Sequence, residues 1–478
     1  MSATGLTSLS ATEIAELVRK RGISVVDVVD AHLVKIQRLN PKLNAFVQVD
    51  GERALQHARS TEQAVVSGNG LGVLQGVPVS IKSSIEVAGL RCEAGTKLRV
   101  GHVAQTDAPL VQRLRAAGAI VLGTTNAPEF LMAWETDNLL YGRTNNPWDL
   151  ARTSGGSSGG EAAAIASGCS VGGVGSDGGG SVRVPAHFCG ICGLKPTPGR
   201  IPATGHYPQS VGPFALLGVV GPMTRTISDL KLFFEVLQGP DIGDPSATPV
   251  PVRWPEWSLK NTSATPRIGY FEDDSRTPVT PETRTAIRKA ADLLRAAGFQ
   301  VEPFCPDGLD KARELWWKFF GVAGAMLLGP VSKGREGELS RILTEFNDWV
   351  ALEPPHTAQS LLNTWIQRDM VRMLVFEQMQ RFPVLLCPVA SLPAFKHGER
   401  KWDIDGKSVH YLDAWSYCEW FNLLGMPSVV LPMSKSNEGL PIGVQIVAQP
   451  WQEEVVLSVA ELLERERGPW AGPPDLQA

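Results

Sequence analysis

The sequence lacks most of the features by which metal-dependent, redox and disulfide-rich proteins are identified. Its 478 residues include only seven cysteines and eight histidines, and no His-Glu-x-x-His motif is present. Cys189 and Cys192 have a Cys-x-x-Cys spacing, but no second pair accompanies them. This pattern favours small buried side chains over a redox or zinc site. We therefore expect no disulfide framework, no metal and no cofactor.

The chain also lacks a strong charge and a long apolar run. Its formal net charge is -4 and its pI about 6.1, so composition does not predict a nucleic-acid partner. No apolar run predicts a membrane span, and the first residues lack the charged-then-apolar form of a signal peptide. We expect a cytoplasmic protein, and a homodimer is compatible with the sequence.

Two common active-site signatures are absent as well. There is no Gly-x-Ser-x-Gly elbow and no Gly-x-x-x-x-Gly-Lys-Ser/Thr phosphate-binding loop. No histidine stands in a motif that would make it the base for a serine nucleophile, and His187 is expected to be structural. A serine-histidine hydrolase and a nucleotide-binding protein are therefore both disfavoured.

The most informative stretch that is present runs from residue 153 to residue 200. It contains Gly-Gly-Ser-Ser-Gly-Gly-Glu at 155–161 and Asp-Gly-Gly-Gly-Ser-Val-Arg at 177–183. Because glycine lets the backbone approach a ligand closely, glycines ahead of a serine can point several N–H groups into one hollow. Such a hollow suits an oxyanion that develops beside a nucleophile. The alanine-rich helix former after Gly160 disfavours a flexible linker.

These residues resemble the amidase signature family of serine hydrolases, and most closely its branch of fatty acid amide hydrolases and bacterial aryl acylamidases. The resemblance covers most of the chain except roughly residues 245–380. Matches in a fixed order are far more specific than one short motif. The further matching segments are 76–82, 123–130, 142–148, 221–226 and 439–447.

The resemblance implies a single amidase domain over residues 1–478, with helices on both faces of a large, mixed, twisted β-sheet. Apolar strands that alternate with helices independently indicate an α/β fold whose sheet is buried on both faces. A capping box at Ser10–Glu13 predicts the start of an early helix. Residues 239–266, rich in Pro, Asp, Ser and Thr, predict a surface loop.

Four regions are expected within the domain. They are an N-terminal helical region at 1–70, a catalytic core at 71–240, a variable helical insertion near the substrate entrance at 241–380, and the C-terminal part of the sheet core at 381–478.

Residue by residue, the resemblance implies a Ser-Ser-Lys triad. Ser181 aligns with the nucleophile, Ser157 with a bridging serine held in a cis peptide, and Lys82 with the general base. Lysine has an ordinary pKa of ~10.4, but burial disfavours its charged form. Neutral Lys82 would take a proton from Ser157, which takes one from Ser181. The oxyanion would face the backbone N–H groups of Gly178, Gly179, Gly180 and Ser181.

Four residues around this loop need separate interpretation. Asp177 and Arg183 are interpreted as a pair that orders the loop rather than as catalytic groups. Ser83 stands where many family members have an acidic residue, which would alter the electrostatics of the lysine. Gly178 stands where threonine or isoleucine is usual, which predicts a more flexible loop and more space near the acyl group.

Residues 311–380 match the family least and are rich in apolar and aromatic side chains. The run Ile366, Met370, Met373 and Leu374 has helical spacing, and ordinary helical core would explain it. Methionines and aromatic residues also suit an adaptable pocket wall or lid. The candidate pocket residues are Trp316, Trp317, Phe320 and Met370.

The predicted function is hydrolysis of carboxylic amides with apolar acyl or aryl groups through an acyl-enzyme, with esters and carbamates as further substrates. The alternative is the glutamine-amidase component of a tRNA-dependent amidotransferase. Residues 160–162 and 188–196, which match the fatty acid amide hydrolase branch more closely, count against this alternative, as does the apolar insertion. The expected partner is a small-molecule amide.

Overall fold

The computed structural model describes residues 2–68, 72–256, 265–474 and 476. In chain order the strands are β1 (Phe46–Val49), β2 (Pro78–Lys82), β3 (Ile120–Thr125), β4 (Asn145–Asn146), β5 (Asp149–Thr153), β6 (Gly172–Asp177), β7 (Cys192–Lys195), β8 (Val219–Thr224), β9 (Ile268–Tyr270), β10 (Val301–Pro303), β11 (Val384–Pro388), β12 (Lys401–Ile404), β13 (Lys407–His410), β14 (Ser428–Lys435) and β15 (Pro441–Ala448). Two short hairpins, β4–β5 and β12–β13, stand apart from the main sheet.

The α-helices occupy the intervals between these strands. They are α1 (Ala3–Ser8), α2 (Ala11–Arg19), α3 (Val25–Leu43), α4 (Gly51–Val66), α5 (Pro109–Ala116), α6 (Gly159–Ala166), α7 (Arg183–Cys189), α8 (Pro213–Leu217), α9 (Ile227–Leu237), α10 (Pro281–Ala296), α11 (Leu309–Trp317), α12 (Gly324–Ser332), α13 (Arg341–Ala351), α14 (Ala358–Gln378), α15 (Ser416–Leu423) and α16 (Glu453–Arg467). A π-helical turn, Lys318–Ala323, joins α11 to α12.

The main sheet has eleven strands in the order β1-β3-β2-β6-β8-β7-β14-β15-β11-β9-β10. The β3–β2–β6 and β11–β9–β10 neighbours are parallel, whereas the strands from β6 to β11 pair antiparallel. The sheet is therefore mixed, as expected, and the chain has the large α/β architecture predicted for it.

Both faces of the sheet are buried. The side chains of a strand point alternately to the two faces, so successive residues of one strand belong to different cores. Along β14, Val429 and Leu431 belong to one hydrophobic core, whereas Val430 between them belongs to the other. Helices α3, α9 and α16 contribute to the first core, and α6, α7, α11 and α15 to the second. The second core surrounds the glycine-rich loops.

The insertion supplies one helical run, Leu309–Ser332, with a mean hydropathy of 1.2 and sufficient length for a membrane span. The sequence predicted no membrane span, and core helices also have this length and composition. Trp316 and Phe319 of this run are buried inside the protein.

The side of helix α14 that packs on the protein includes Arg368 and Arg372 beside the buried apolar residues Val371 and Val375. Arg368 Nε donates to the carbonyl oxygen of Leu423 at 3.1 Å, and Arg372 Nε to that of Leu424 at 3.2 Å. These carbonyls lie at the C-terminal end of α15, where helix carbonyls need partners from elsewhere. The apolar run that includes Met370 lies on the exposed side of the helix, so its interpretation as helical core was wrong.

The predicted surface loop at 239–266 is only partly described. Residues 257–264 lie outside the described residues, and the remaining described residues of the segment form no helix or strand.

Candidate active site

The candidate catalytic groups meet at one edge of the sheet. Lys82 ends β2, and Ser176 and Asp177 end the neighbouring parallel strand β6. The carboxyl ends of parallel strands lie at the same edge, where open α/β sheets bind ligands. Ser157 and Ser181 lie on the loops that lead into α6 and α7 at this edge.

Lys82 is completely buried among hydroxyl groups. Its Nζ lies 2.6 Å from Ser157 Oγ and 3.0 Å from both Ser158 Oγ and Ser176 Oγ. Burial lowers the pKa of Lys82 to about 7, although the carboxyl groups of Asp177 and Glu161 act in the opposite direction. A lysine with this pKa is partly neutral at physiological pH and has a lone pair with which to accept a proton.

The two glycine-serine segments meet at one cavity and are joined by a backbone hydrogen bond. The Gly156–Ser157 peptide bond is cis, and Ser157 and Ser181 both line the same cavity. The N–H of Ser158 donates to the carbonyl oxygen of Ser181 at 3.1 Å. A side chain at residue 156 would collide with backbone, since its Cβ would lie 2.5 Å from the carbonyl oxygen of Glu135. Glycine is therefore required before Ser157.

The glycine loop offers three N–H groups rather than the four expected. Gly180 N–H donates to Asp177 Oδ1 at 2.7 Å, so it is already used within the protein. In the described part of the chain, the N–H groups of Gly178, Gly179 and Ser181 have no protein acceptor. All three are unused within the described residues, and Gly178 and Ser181 line the cavity.

Asp177 and Arg183 form a buried bidentate ion pair behind this loop. Arg183 Nε donates to Asp177 Oδ2 at 3.0 Å and Nη2 to Oδ1 at 2.9 Å, and both side chains are fully buried. Burial alone would raise the pKa of Asp177, but the Arg183 guanidinium and the Gly180 N–H hold that pKa well below its usual range. Arg183 thus fixes the Asp177 carboxylate in the position where it accepts from the Gly180 N–H and can orient the loop.

The cavity beside these groups is mainly apolar and encloses about 510 Å³, including its open mouth. His206 is its titratable wall residue besides Asp177, and burial lowers the pKa of His206 to about 4, so it is neutral at physiological pH. The apolar side chains that line the cavity are Phe130, Leu131, Met132, Ala203, Pro208, Phe214, Val219, Val220 and Phe320.

A family model described as Amidase matches residues 27–457. An indoleacetamide hydrolase from Bradyrhizobium diazoefficiens is 33% identical over 472 residues, which cover 96% of this chain and 86% of that protein. The chain belongs to the amidase signature family.

A glutamyl-tRNA(Gln) amidotransferase subunit from Bdellovibrio bacteriovorus is also 33% identical, over 96% of this chain and 97% of that protein. A solved bacterial aryl acylamidase of the amidase signature family shares 28% identity and a TM-score of 0.84, over 97% of this chain and 96% of that one. This member of the family is accordingly an amidase that acts on carbon–nitrogen bonds of linear amides.

The four candidate pocket residues of this amidase occupy different places. Phe320 lines the cavity, whereas Trp316 is buried behind the glycine loop and donates from Nε1 to the carbonyl oxygen of Gly178 at 2.7 Å. Trp317 is buried and packs against Phe346. Met370 is 64% exposed on the outer side of α14, so the structure does not bring it to the cavity.

The two departures from the family pattern have structural counterparts. A Cβ on Gly178 would lie 2.8 Å from Phe320 Cε2, so the space beside this glycine is taken up by Phe320 and is not left open for an acyl group. Ser83 is buried, and its hydroxyl has no hydrogen-bond partner among the described residues. Besides Asp177, the acidic group near Lys82 is Glu161, whose Oε2 accepts from Thr125 Oγ1 at 2.7 Å and whose pKa burial raises to about 7.

Sequence reasoning missed Glu161, His206 and the aromatic walls at Phe130 and Phe214. Glu161 directly follows the serine motif, so its position could have suggested a role beside the triad. The others stand in segments without a chemical signature. Cys189 and Cys192 are both buried, as expected, and neither forms a disulfide with a described residue. No cluster of three metal-ligating side chains occurs in the described ranges.

We expect Asp177→Asn to destabilise the protein by about 3–5 kcal/mol, because the change leaves the Arg183 charge buried without its counter-ion. Urea unfolding at constant pH would measure the loss. Asp149→Asn is the matched control, since Asp149 pairs with Arg152 but its side chain is 42% exposed. Exposed pairs contribute about 0–1 kcal/mol. Equal losses in the two variants would contradict the role of Asp177–Arg183 as a buried stabilising pair.

Proposed function

We propose that Ser181, Ser157 and Lys82 hydrolyse amides with apolar acyl or aryl groups through an acyl-enzyme. The observation that carries this proposal is the 2.6 Å contact between buried Lys82 Nζ and Ser157 Oγ, at a cavity that Ser181 also lines. A base must lie within about 2.6–3.2 Å of the heavy atom that bears the proton it takes. Lys82 meets this requirement towards Ser157, and Ser157 is the group that relays the proton from Ser181.

The acylation step follows from this arrangement. Neutral Lys82 takes the Ser157 proton while Ser157 takes that of Ser181, and Ser181 Oγ attacks the amide carbon. The carbonyl oxygen becomes an oxyanion, which accepts hydrogen bonds from the N–H groups of Gly178, Gly179 and Ser181. Donors fixed in advance around the developing charge lower the barrier because they need no reorganisation. The proton on Lys82 then returns through Ser157 to the departing nitrogen, and the C–N bond breaks.

Deacylation uses the same groups in reverse. A water molecule loses its proton through Ser157 to Lys82 and attacks the acyl carbon of the ester on Ser181. A second oxyanion forms at the same N–H groups, and the returning proton releases Ser181 Oγ together with the carboxylic acid. Esters and carbamates fit this scheme as further substrates, since their leaving group accepts the proton as the amide nitrogen does.

The chemistry of the cavity wall favours apolar substrates over glutamine. Glutamine carries an α-carboxylate and an α-ammonium group, and each would need a charged partner once it leaves water. Among the described residues that line the cavity, none is a lysine or an arginine, and the Asp177 carboxylate is already paired with Arg183. Because the chain is 33% identical to an amidotransferase subunit, the test also includes glutaminase activity.

A panel of matched substrates tests the proposal. We expect hydrolysis of anilides and medium-chain acyl amides, hydrolysis of the corresponding esters and carbamates, and no ammonia release from glutamine. Ser181→Ala protein, purified in parallel, identifies any contaminating hydrolase. Efficient glutaminase activity, or activity only after addition of partner proteins, would replace this proposal by the amidotransferase alternative.

Phe320 allows a more specific prediction about substrate preference, because it belongs to the insertion expected at residues 241–380 and lines the cavity. We expect Phe320→Ala to shift relative kcat/KM towards longer acyl chains by about tenfold per two added methylenes, at roughly 0.8 kcal/mol for each buried methylene. Met370→Ala is the control, because Met370 lies outside the cavity. Parallel chain-length profiles of the two variants and the unmodified enzyme would show that Phe320 does not set the acyl pocket.

A further inference from the structure

The glycine loop beside Ser181 is held by hydrogen bonds to its carbonyl oxygens. Three successive carbonyls accept from three different side chains. Asn422 Nδ2 donates to the carbonyl oxygen of Asp177 at 3.1 Å, Trp316 Nε1 to that of Gly178 at 2.7 Å, and Trp134 Nε1 to that of Gly179 at 2.8 Å. A run of three glycines is the most adaptable backbone a chain can have, yet each of these peptide units is fixed from outside.

Holding a carbonyl also fixes the N–H of the next residue. A peptide unit is planar and trans, so its C=O and N–H point in opposite directions. The bond from Trp316 to the Gly178 carbonyl therefore sets the direction of the Gly179 N–H, which is one of the three donors proposed for the oxyanion. The bond from Trp134 sets that of the Gly180 N–H, which donates to Asp177 Oδ1 and completes the turn.

The indoles also pack closely, against the loop and against each other, in addition to their hydrogen bonds. A Cβ on Gly179 would lie 2.4 Å from Trp316 Cζ2, so glycine is required for the ring to approach. The rings of Trp134 and Trp316 also contact each other, with centroids 6.0 Å apart. Both side chains are almost fully buried.

Other buried tryptophans in the same aromatic core show that such bonds do not arise from burial alone. The indole N–H groups of Trp415 and Trp420 have no hydrogen-bond partner in the described part of the chain. Trp415 stacks on Trp134, with centroids 5.9 Å apart and ring planes at 24°. Packing in this core is therefore achieved without an acceptor for the indole nitrogen, whereas Trp134 and Trp316 are both directed at the loop.

We propose that Trp134 and Trp316 are positioning residues for the oxyanion site, which rests on the proposed function of Ser181 as the nucleophile. The Trp316 indole N–H holds the Gly178 carbonyl and thereby directs the Gly179 N–H at the developing oxyanion. The Trp134 indole N–H holds the Gly179 carbonyl and thereby fixes the Gly180 N–H, which closes the turn on Asp177 and keeps the loop in this conformation. Trp316 lies on α11, so the variable insertion supplies part of the catalytic geometry in addition to the pocket wall at Phe320.

Trp316→Phe and Trp134→Phe test this assignment, because phenylalanine keeps an aromatic ring and removes the N–H. We expect each change to lower kcat by about 10- to 100-fold with KM within about threefold, since the lost effect is specific to the transition state. The Ki of a trifluoromethyl ketone, which adds to Ser181 and forms an oxyanion, should rise by the same factor as kcat falls. Trp415→Phe is the matched control, because it removes an indole that has no acceptor.

Three readouts separate the outcomes. Thermal unfolding establishes that each variant is folded, and if Trp316→Phe does not fold, Trp134→Phe decides alone. Losses in kcat no larger than that of Trp415→Phe, or an unchanged ketone Ki, would overturn the positioning role and reduce both tryptophans to core packing. Peptide mapping after fluorophosphonate treatment reports on the nucleophile independently. A label outside Ser181 in the unmodified enzyme overturns the proposed function itself, whatever the tryptophan variants do.

Discussion

Ser181→Ala should lower kcat by about five to six orders of magnitude, because it removes the only group in the proposal that bonds to the acyl carbon. The residual rate would come from the oxyanion site and from substrate binding, which remain in place. Folding should change little, since Ser181 contributes its carbonyl oxygen to Ser158 N–H through the backbone and alanine keeps that contact. The kinetic loss is then expected with an unchanged unfolding midpoint.

Intact-protein mass and peptide mapping after treatment with a fluorophosphonate are the direct measurements. The unmodified enzyme should gain one adduct on Ser181, and the alanine variant none. Ser83→Ala is a suitable control, since it removes a buried hydroxyl that has no hydrogen-bond partner and should leave labelling and kcat nearly intact. An adduct on another residue in an active preparation would refute Ser181 as the nucleophile.

Local patterns in the sequence predicted local structure well. The capping box at Ser10 is present, with Ser10 Oγ accepting from Glu13 N–H and the Glu13 carboxylate accepting from Ser10 N–H, because its partners are only three residues apart. Strands β11, β14 and β15 contain short apolar runs in the sequence, which agrees with the expected alternation of apolar strands and helices. Their order in the sheet was not predicted, since pairing depends on contacts between distant segments.

The candidate triad shows how far a family resemblance reaches beyond periodicity. Lys82 and Ser157 are 75 positions apart, and no spacing rule would bring Nζ to 2.6 Å from Oγ. The resemblance also implied a cis peptide at Ser157, and Gly156–Ser157 is cis. The catalytic roles stay proposals, because geometry places the groups without showing the reaction.

The errors came from residues whose partners lie far away along the chain. Gly178 suggested a flexible loop with open space, but Trp316, 138 positions away, holds its carbonyl and Phe320 occupies the neighbouring space. Met370 has helical spacing with other apolar residues, yet the inward side of α14 is the one with Val371 and Val375, where Arg368 donates to the end of α15. A single sequence contains neither of these constraints in local form.

Lys82→Met should lower kcat by about three to five orders of magnitude and remove the acidic limb of the pH–rate profile. Methionine has nearly the shape of lysine but cannot accept the Ser157 proton, so general-base assistance to Ser181 is lost. In the unmodified enzyme, activity should rise with pH through about 7, where Lys82 becomes neutral. The measurement is kcat/KM from about pH 5 to about pH 10 for both proteins, with the same substrate.

Glu161 requires a control in this experiment, because burial raises its pKa to about 7 as well. The Glu161 carboxylate favours the charged form of Lys82, so Glu161→Gln should lower the pKa of Lys82 and move the limb to lower pH. If the limb instead disappeared in Glu161→Gln and persisted in Lys82→Met, Glu161 would be the titrating group and Lys82 would not be the base.

The pH dependence of protein stability tests the protonation of Lys82 independently of catalysis. The folded-state pKa of Lys82, about 7, lies below its ordinary value of 10.5. Between these values the unfolded chain binds a proton that the folded protein does not, so the free energy of unfolding should rise with pH across this window. Below about pH 7 both states are protonated, and the folded protein bears the full cost of a buried ammonium.

Lys82→Met lacks this contribution, so it should be the more stable protein at about pH 6, with the difference shrinking towards about pH 10. A constant difference across that range would mean that Lys82 keeps its proton when buried, which would exclude it as the base.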